Sequence, residues 1–298
     1  KGLADYLETK RIFFPRFYFL SDEELLEILS QAKNPLAVQP HLRKCFENIA
    51  KLNFEADLQI TAMYSSEGEC VLMNPFLYPR GNVEDWLVKV EESMKNTVRS
   101  TIGDSLDDIE IRPRTDWVLQ WPGQIVIVGS QTAWTSGVEE GIHTNTLSLF
   151  YSQMLDMLDG LRGLVKGKLM KVERQVLSAL IVIEVHARDV TNKLVKENVV
   201  NTNDFDWISQ LRYYWVNDFD LKVRAVNAEF PYGYEYLGNS GRLKAQMARL
   251  DRFIFEGSDI VLKESCAVFI TMNPAMISEQ LSSQKIKIGA QRAGGNYM

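Results

Sequence analysis

The side chains of this 298-residue chain that could carry chemistry are few and scattered. His41, His143 and His186 fall in separate segments, without the spacing by which two imidazoles on one helix face hold a metal. Each therefore reads as a structural or solvated histidine. Cys45, Cys70 and Cys266 are distant from one another and odd in number, which supports neither a disulfide framework nor a cysteine-rich zinc site. That usage is expected of a reducing compartment. No GxSxG, HExxH or CxxC occurs. Gly163-Leu164-Val165-Lys166-Gly167-Lys168 has the look of a phosphate loop, but a P-loop needs glycine where Arg162 stands and a hydroxyl where Leu169 stands. It is better read as a link into a helix. Glu91-Glu92 and Asp107-Asp108 read as solvated faces rather than catalytic dyads. The remaining candidate is Asn273, at the end of the apolar run Ala267-Val268-Phe269-Ile270. Ligands are met at the C-terminal edge of strands in α/β sheets, so an amide there could face a phosphate or a water.

Composition narrows the classes further. The chain is 46% hydrophobic and 24% charged, within the range of a folded globular protein. Thirty-three basic against thirty-nine acidic side chains leave a formal net charge of −6, which argues against a nucleic-acid partner. No apolar run approaches the roughly 20 residues that cross a bilayer, so no membrane partner is expected. The start, Lys1-Gly2-Leu3-Ala4-Asp5, resembles neither a signal nor a transit peptide. Length alone predicts about two domains, and a soluble intracellular protein is the simplest expectation.

The elements that would position these residues can be read from punctuation and period. Seven of the nine prolines lie in the first 122 residues, and residues 168–230 contain neither proline nor glycine, which favours long helices there. Ser21-Asp22-Glu23-Glu24 is a capping box opening a helix with Leu25, Leu26, Ile28 and Leu29. Pro40 suits the first turn of a second helix, with Leu42, Cys45, Phe46, Ile49 and Leu52 on one face. Asn82 caps a third, in which Val83, Trp86, Val90, Met94, Val98 and Ile102 recur at helical spacing, with a polar break expected at Asp104 and Asp107-Asp108. The longest predicted helix runs from about Leu164 to Val199 and would be on the order of 50 Å long. Asp57–Tyr64 and Glu69–Met73 read as strands of a hairpin about Ser65-Ser66-Glu67-Gly68. Leu221, Val223 and Ala225 alternate as another strand. Trp117–Trp134 is ambiguous: Ile125-Val126-Ile127-Val128 favours a strand, while Pro122 before an apolar segment can open a buried helix. Two aromatic clusters, Phe13–Phe19 and Tyr213-Tyr214-Trp215 with Phe230–Tyr234, could be docking platforms, but burial at a junction is the simpler expectation.

Several longer stretches are distinctive. They are Lys10-Arg11-Ile12-Phe13-Phe14-Pro15-Arg16-Phe17-Tyr18-Phe19-Leu20-Ser21, Glu24-Leu25-Leu26-Glu27-Ile28-Leu29 and Val38-Gln39-Pro40-His41-Leu42. Further on come Trp121-Pro122-Gly123-Gln124, Gln131-Thr132-Ala133-Trp134 and Trp207-Ile208-Ser209-Gln210-Leu211-Arg212-Tyr213-Tyr214. Tyr232-Gly233-Tyr234-Glu235-Tyr236-Leu237-Gly238-Asn239 completes the series. Through them the chain resembles the axonemal dynein heavy chains, over residues 1 to about 243. The resemblance implies the later part of that family's linker in residues 1–229. It implies a junction and a truncated remnant of the first AAA+ module in residues 230–298. The fold class it implies is mainly α: an elongated helical-bundle linker with a small β-hairpin, then an incomplete α/β AAA+ remnant. It also makes Gln124–Val128 helical despite its β-branched residues.

After Gly241-Arg242-Leu243 the family would continue through a nucleotide-pocket strand, a GxxxxGKT loop and an acidic metal-positioning strand, whereas this chain goes on to Lys244-Ala245-Gln246. Phe253–Pro274 again resembles the first module, and Asn273 matches its sensor asparagine, a cofactor-binding role by resemblance. Met276–Gln284 resembles a still later part, and Ile286–Met298 has no counterpart recognised. The intact family is an ATP-driven microtubule motor of cilia and flagella that uses ATP and Mg. For this chain no cofactor, metal or catalytic residue is expected, and it should be inactive alone. The family's partners would be the rest of the AAA+ ring and other dynein chains, with microtubules reached through regions further downstream. The location implied is cytoplasm, cytoskeleton, and the axoneme of a cilium or flagellum. Residues 1–229 are expected to fold as a helical unit and 244–298 to be poorly ordered. Two alternatives stand beside the lever: a non-motor helical scaffold, and an ATPase completed by another chain.

Overall fold

The computed structural model describes residues 2–31 and 34–239. Asn273, Cys266, the apolar run at 267–270 and the expected AAA+ remnant lie outside the described residues. Helix α1 (Gly2–Phe13) leads through a 3₁₀ turn, Pro15–Phe19, into α2 (Asp22–Ser30). The capping box forms as expected: the Glu24 N–H donates to Ser21 Oγ at 3.3 Å and the Ser21 N–H donates to Glu24 Oε2 at 3.1 Å. Leu25 and Ile28 then turn into the core.

The second expected helix is largely replaced. Pro40 lies inside a 3₁₀ turn, Pro35–His41, and α3 spans only Leu42–Cys45. From Phe46, whose φ of −126° is extended, the chain runs into strand β1 (Lys51–Phe54). Leu42, Cys45, Phe46, Ile49 and Leu52 are nevertheless all buried. Spacing by three and four can be met by an irregular path when a side chain supplies the backbone bonds. Here the Gln39 amide does so, donating to the Leu52 carbonyl at 2.7 Å and accepting from the Leu52 N–H at 3.0 Å.

Strands β2 (Ile60–Tyr64) and β3 (Cys70–Leu77) complete an antiparallel sheet in the order β1-β2-β3. Their turn is the expected one, with Gly68 at φ +92°, a value that suits glycine. Strand β2 begins three residues later than expected, because Leu58 at φ +68° and a Gln59 N–H donating to Asp57 Oδ1 make a turn there.

Helix α4 (Val83–Ile111) is opened by Asp85, whose carboxylate accepts from the Asn82 N–H at 3.2 Å. The break expected at Asp104–Asp108 does not occur. Ile102 and Ser105 continue the buried stripe, Asp104 and Asp107 face solvent, and Asp108 pairs with Arg112 one turn on at 2.7 Å. Helix α5 (Arg114–Gln120) and helix α6 (Gly123–His143) resolve the ambiguous stretch as helical. Helix α7 (Leu147–Val165) precedes α8 (Lys171–Lys196), which is the long helix expected from about Leu164 to Val199, begun seven residues later and ended three earlier. Helix α8 has 26 residues, about 39 Å at the usual rise, and the 29-residue α4 is longer. The residues taken as a link into the helix, around Gly167, are the connection between the two.

A short helix α9 (Phe205–Ile208) precedes β4 (Arg212–Val216), β5 (Asp220–Ala225) and β6 (Ala228–Pro231), a second antiparallel sheet in that order. Leu221, Val223 and Ala225 point inward as their alternation predicts. The fold is mainly α, with two small sheets.

Buried side chains form three clusters, and α6 contributes to each: Ile125 and Val128 to the first, Val126 to the second, Trp134, Val138 and Ile142 to the third. A helix apolar on every side is a buried one. That explains how a β-branched run becomes helical, since packing all round outweighs a propensity difference of well under 1 kcal/mol per residue. Small residues let neighbours approach closely: a Cβ at Gly129 would stand 2.8 Å from the Trp117 ring and one at Gly137 would stand 2.3 Å from Phe150. Among the described residues no helix is long and apolar enough to cross a membrane.

Candidate functional site

Beyond β6 one further backbone bond, from the Tyr232 N–H to the Leu221 carbonyl at 3.0 Å, continues the pairing with β5, and the chain then leaves the sheet. Residues 232–239 form an extended strap across the first core cluster, with Tyr232, Tyr234 and Tyr236 buried and Gly233, Glu235 and Leu237 between them half-buried. Such alternation is that of extended backbone, here interrupted by left-handed φ at Tyr234 (+54°) and at Gly238 (+59°). Instead of a ladder, the strap is held by side chains from four distant segments.

Gln124, at the start of α6, is buried and grips the strap three times. Its amide nitrogen donates to the Glu235 carbonyl at 2.8 Å and to Tyr232 Oη at 2.9 Å, and its amide oxygen accepts from the Leu237 N–H at 2.8 Å. Glu69, beside the hairpin turn, accepts from Tyr236 Oη at 2.6 Å and from the Gly123 N–H at 2.7 Å. One carboxylate thus ties the strap to the helix N-terminus on which Gln124 sits. Asn48 donates to the Leu237 carbonyl at 2.7 Å and accepts from Ser66 Oγ at 2.7 Å. Gly238 lies in the left-handed region at φ +59°, and a Cβ there would come within 2.4 Å of the Asn48 amide. Tyr234 Oη donates to Asp220 at 2.6 Å and accepts from the Leu221 N–H at 2.7 Å, under the Arg99 guanidinium 4.3 Å from its ring.

The electrostatic centre is Arg16, in the 3₁₀ turn after α1. It donates through both terminal nitrogens to the Glu235 carboxylate, at 2.9 and 2.6 Å, and through Nε to Glu91 at 3.2 Å. It also donates to the Cys45 carbonyl at 3.0 Å and lies 4.9 Å from the Phe46 ring. Glu235 in turn accepts from the Glu47 N–H at 3.2 Å. Two-pronged pairing of this kind fixes direction as well as distance. Burial works against the Glu91 charge, but Arg16 and Lys95 outweigh it and hold that carboxyl at about 2, below its ordinary 4.5. Burial likewise pushes the Tyr236 hydroxyl pKa upward, reinforced by the Glu69 carboxylate, so that hydroxyl stays a donor.

The groups first considered for chemistry do not gather. His41 is buried 3.5 Å from Glu27, while His143 and His186 are exposed on α6 and α8. No cluster of three or more His, Cys, Asp or Glu suited to a metal occurs among the described residues. Cys45 is buried, which pushes its thiol up to about 12, and Cys70 is exposed. Glu91, read as a solvated face, is instead part of the Arg16 network. The aromatic clusters are divided: Phe14, Phe17, Tyr232 and Tyr234 are core, whereas Phe13 and Phe19 are more than half exposed. Arg16, Gln124 and Glu235 stand in the stretches that carry the family resemblance, but sequence gives them no role. Only proximity across 219 positions reveals the pair of Arg16 with Glu235.

Comparison with known proteins is consistent over most of the chain. The family described as Dynein heavy chain, N-terminal region 2, matches residues 1–105. Dynein axonemal heavy chain 1 of Homo sapiens is 63% identical over 244 residues, covering 82% of this chain and 6% of that protein. Dynein axonemal heavy chain 3 of Homo sapiens is 53% identical over 246 residues, 82% of this chain and 6% of that protein. Dynein axonemal heavy chain 12 of Mus musculus is 50% identical over 248 residues, with 82% and 8% covered. The chain spans only a small part of the length of each.

Proposed function

The chain belongs to the axonemal dynein heavy chains, a motor family, and from that premise we propose that residues 1–229 are the later part of the mechanical linker and that the segment from residue 230 is its junction with the first AAA+ module. In this reading they form a stiff arm that changes position over a ring of AAA+ modules, in the cytoskeleton of a cilium or flagellum, alongside other dynein chains. Its elements suit a lever, which needs stiffness and a fixed point of attachment. Helices α4, α6 and α8 supply the first. The observation that carries the proposal is the strap: the last described residues are clamped onto the arm by Gln124, Glu69, Asn48 and Arg16. Force entering through the chain beyond residue 239 would reach the arm there.

The 298 residues contain no GxxxxGK[ST] segment. We accordingly propose that nucleotide chemistry belongs to other parts of the heavy chain and that this chain neither binds nor hydrolyses ATP unaided. A sensor role for Asn273 is part of the same proposal, by resemblance alone.

The test is to place Arg16→Ala in the full-length heavy chain and compare microtubule gliding with ATP turnover. Gliding should slow several-fold while turnover stays within about two-fold, because the coupling and not the chemistry is weakened. Equal slowing of both, or neither, would count against a lever anchored at this strap.

A further inference from the structure

An open groove of about 1540 Å³ has α4 and α7 as walls and α6 as floor. We propose that it is a docking groove for a cationic amphipathic helix. The floor carries small side chains, Ala133 and Ser136, which leave space above α6, with the Phe150 ring seated against Gly137 at one side. Met157 and Phe150 of α7 and Trp215 of β4, each partly exposed, give it apolar sides, and methionine adapts to the shape of an incoming helix. A helix with side chains is about 10 Å across and rises 5.4 Å per turn, so the volume suits roughly three turns.

Charge selects the occupant. Seven carboxylates line the groove against two guanidiniums, while the whole chain has a formal net charge of only −6. The excess acidity is therefore concentrated here. Both guanidiniums are already committed: Arg114 to Ser130 Oγ at 2.6 Å and Glu184 at 2.8 Å, Arg99 to the rings of Tyr234 and Phe219. By contrast Asp104, Asp107 and Glu110 form an exposed row along α4 at helical spacing, and none of the three makes an ion pair among the described residues. This row is where the sequence suggested a break in the helix. Its charges instead stay on a continuous wall, opposite apolar side chains, as a helix with one basic and one apolar face requires.

The experiment uses the 298-residue chain and labelled peptides of about 15 residues, four helical turns: an amphipathic Lys/Leu helix and its Glu/Leu counterpart. Anisotropy at physiological ionic strength should show saturable binding of the first and none of the second. The triple reversal Asp104→Lys, Asp107→Lys, Glu110→Lys should weaken binding about ten-fold or more. A control reversal of equal charge outside the groove lining, Asp5→Lys, Glu23→Lys, Glu92→Lys, should leave it within about two-fold, since distant exposed charges are screened. Ala133→Trp, which fills the floor without changing charge, should abolish binding while preserving the urea midpoint. Equal weakening by the control reversal, or full binding by Ala133→Trp, would overturn the proposal. So would self-association of the chain that Ala133→Trp abolishes, which would give the groove to a second copy.

Discussion

Arg16 and its two glutamates combine electrostatic and packing roles in one side chain. Breaking a largely buried, two-pronged pair leaves a charge without its partner, which costs more than the pair contributes. Arg16→Ala should therefore lower stability by about 2–4 kcal/mol in urea unfolding, and Glu235→Gln by less, since an amide can still accept from the guanidinium. Glu91 gives a pH test. Its carboxyl is depressed from 4.5 to about 2, so the stabilisation it supplies is present above about 4.5 and is lost as pH falls toward 2. Discounting for partial exposure, that is on the order of 1–2 kcal/mol. Glu91→Gln should thus cost about that much at pH 7, less as pH falls below about 4.5, and little only below about pH 2, where the native glutamate itself becomes neutral. An equal cost at both pH values would show that the charge is not the source. None of this was legible from the residues alone. An arginine beside phenylalanines and an acidic pair on a helix look like ordinary surface, and the clamp exists only because chain ends far apart in sequence meet.

Elements were legible where local signals and burial agreed. The box at Ser21, the cap at Asn82, the hairpin at Gly68 and the alternation at Leu221–Ala225 all fold as their patterns predict. Failures came where period was mistaken for backbone. The Pro40 segment buries the expected five side chains along an irregular path, and the Leu164–Val199 pattern begins before its helix, in the link that joins α7 to α8. Helix α6 is the instructive case, because propensity favoured a strand and encirclement decided otherwise. Among the elements the strap is the most sensitive to a small change. Gly238→Ala would strain a left-handed residue and drive a methyl into the Asn48 amide and the Ser65 side chain. The expected cost is about 1–3 kcal/mol. Amide exchange of Leu237, whose N–H donates to Gln124, should quicken much more than exchange within α8. Uniform acceleration across both would show global destabilisation instead of local release.

At the scale of the molecule, the strap belongs to the same buried cluster as α2, α4 and the first sheet. Three buried tyrosines each contribute on the order of 2 kcal/mol of apolar burial, a large share of a typical domain's net stability. A chain ending at Asn239 should accordingly unfold at a clearly higher urea concentration than one ending at Pro231. If the midpoints coincide, the strap is an ornament on a finished core. The family resemblance covered residues 1 to about 243 and captured the class of fold. It did not show that the junction folds back into the arm, because residues in a known stretch do not state what they touch.

The two-residue beat of the tyrosines has one more result. Were the strap to creep by a single position, Gly233 and Glu235 would face the holes now filled by Tyr232 and Tyr234, and the left-handed backbone now at Tyr234 and Gly238 would fall on other residues. There is no gradual slippage on such a track, so a tug on this segment is either passed on undiminished or frees the whole length at once, like a pawl in a toothed wheel.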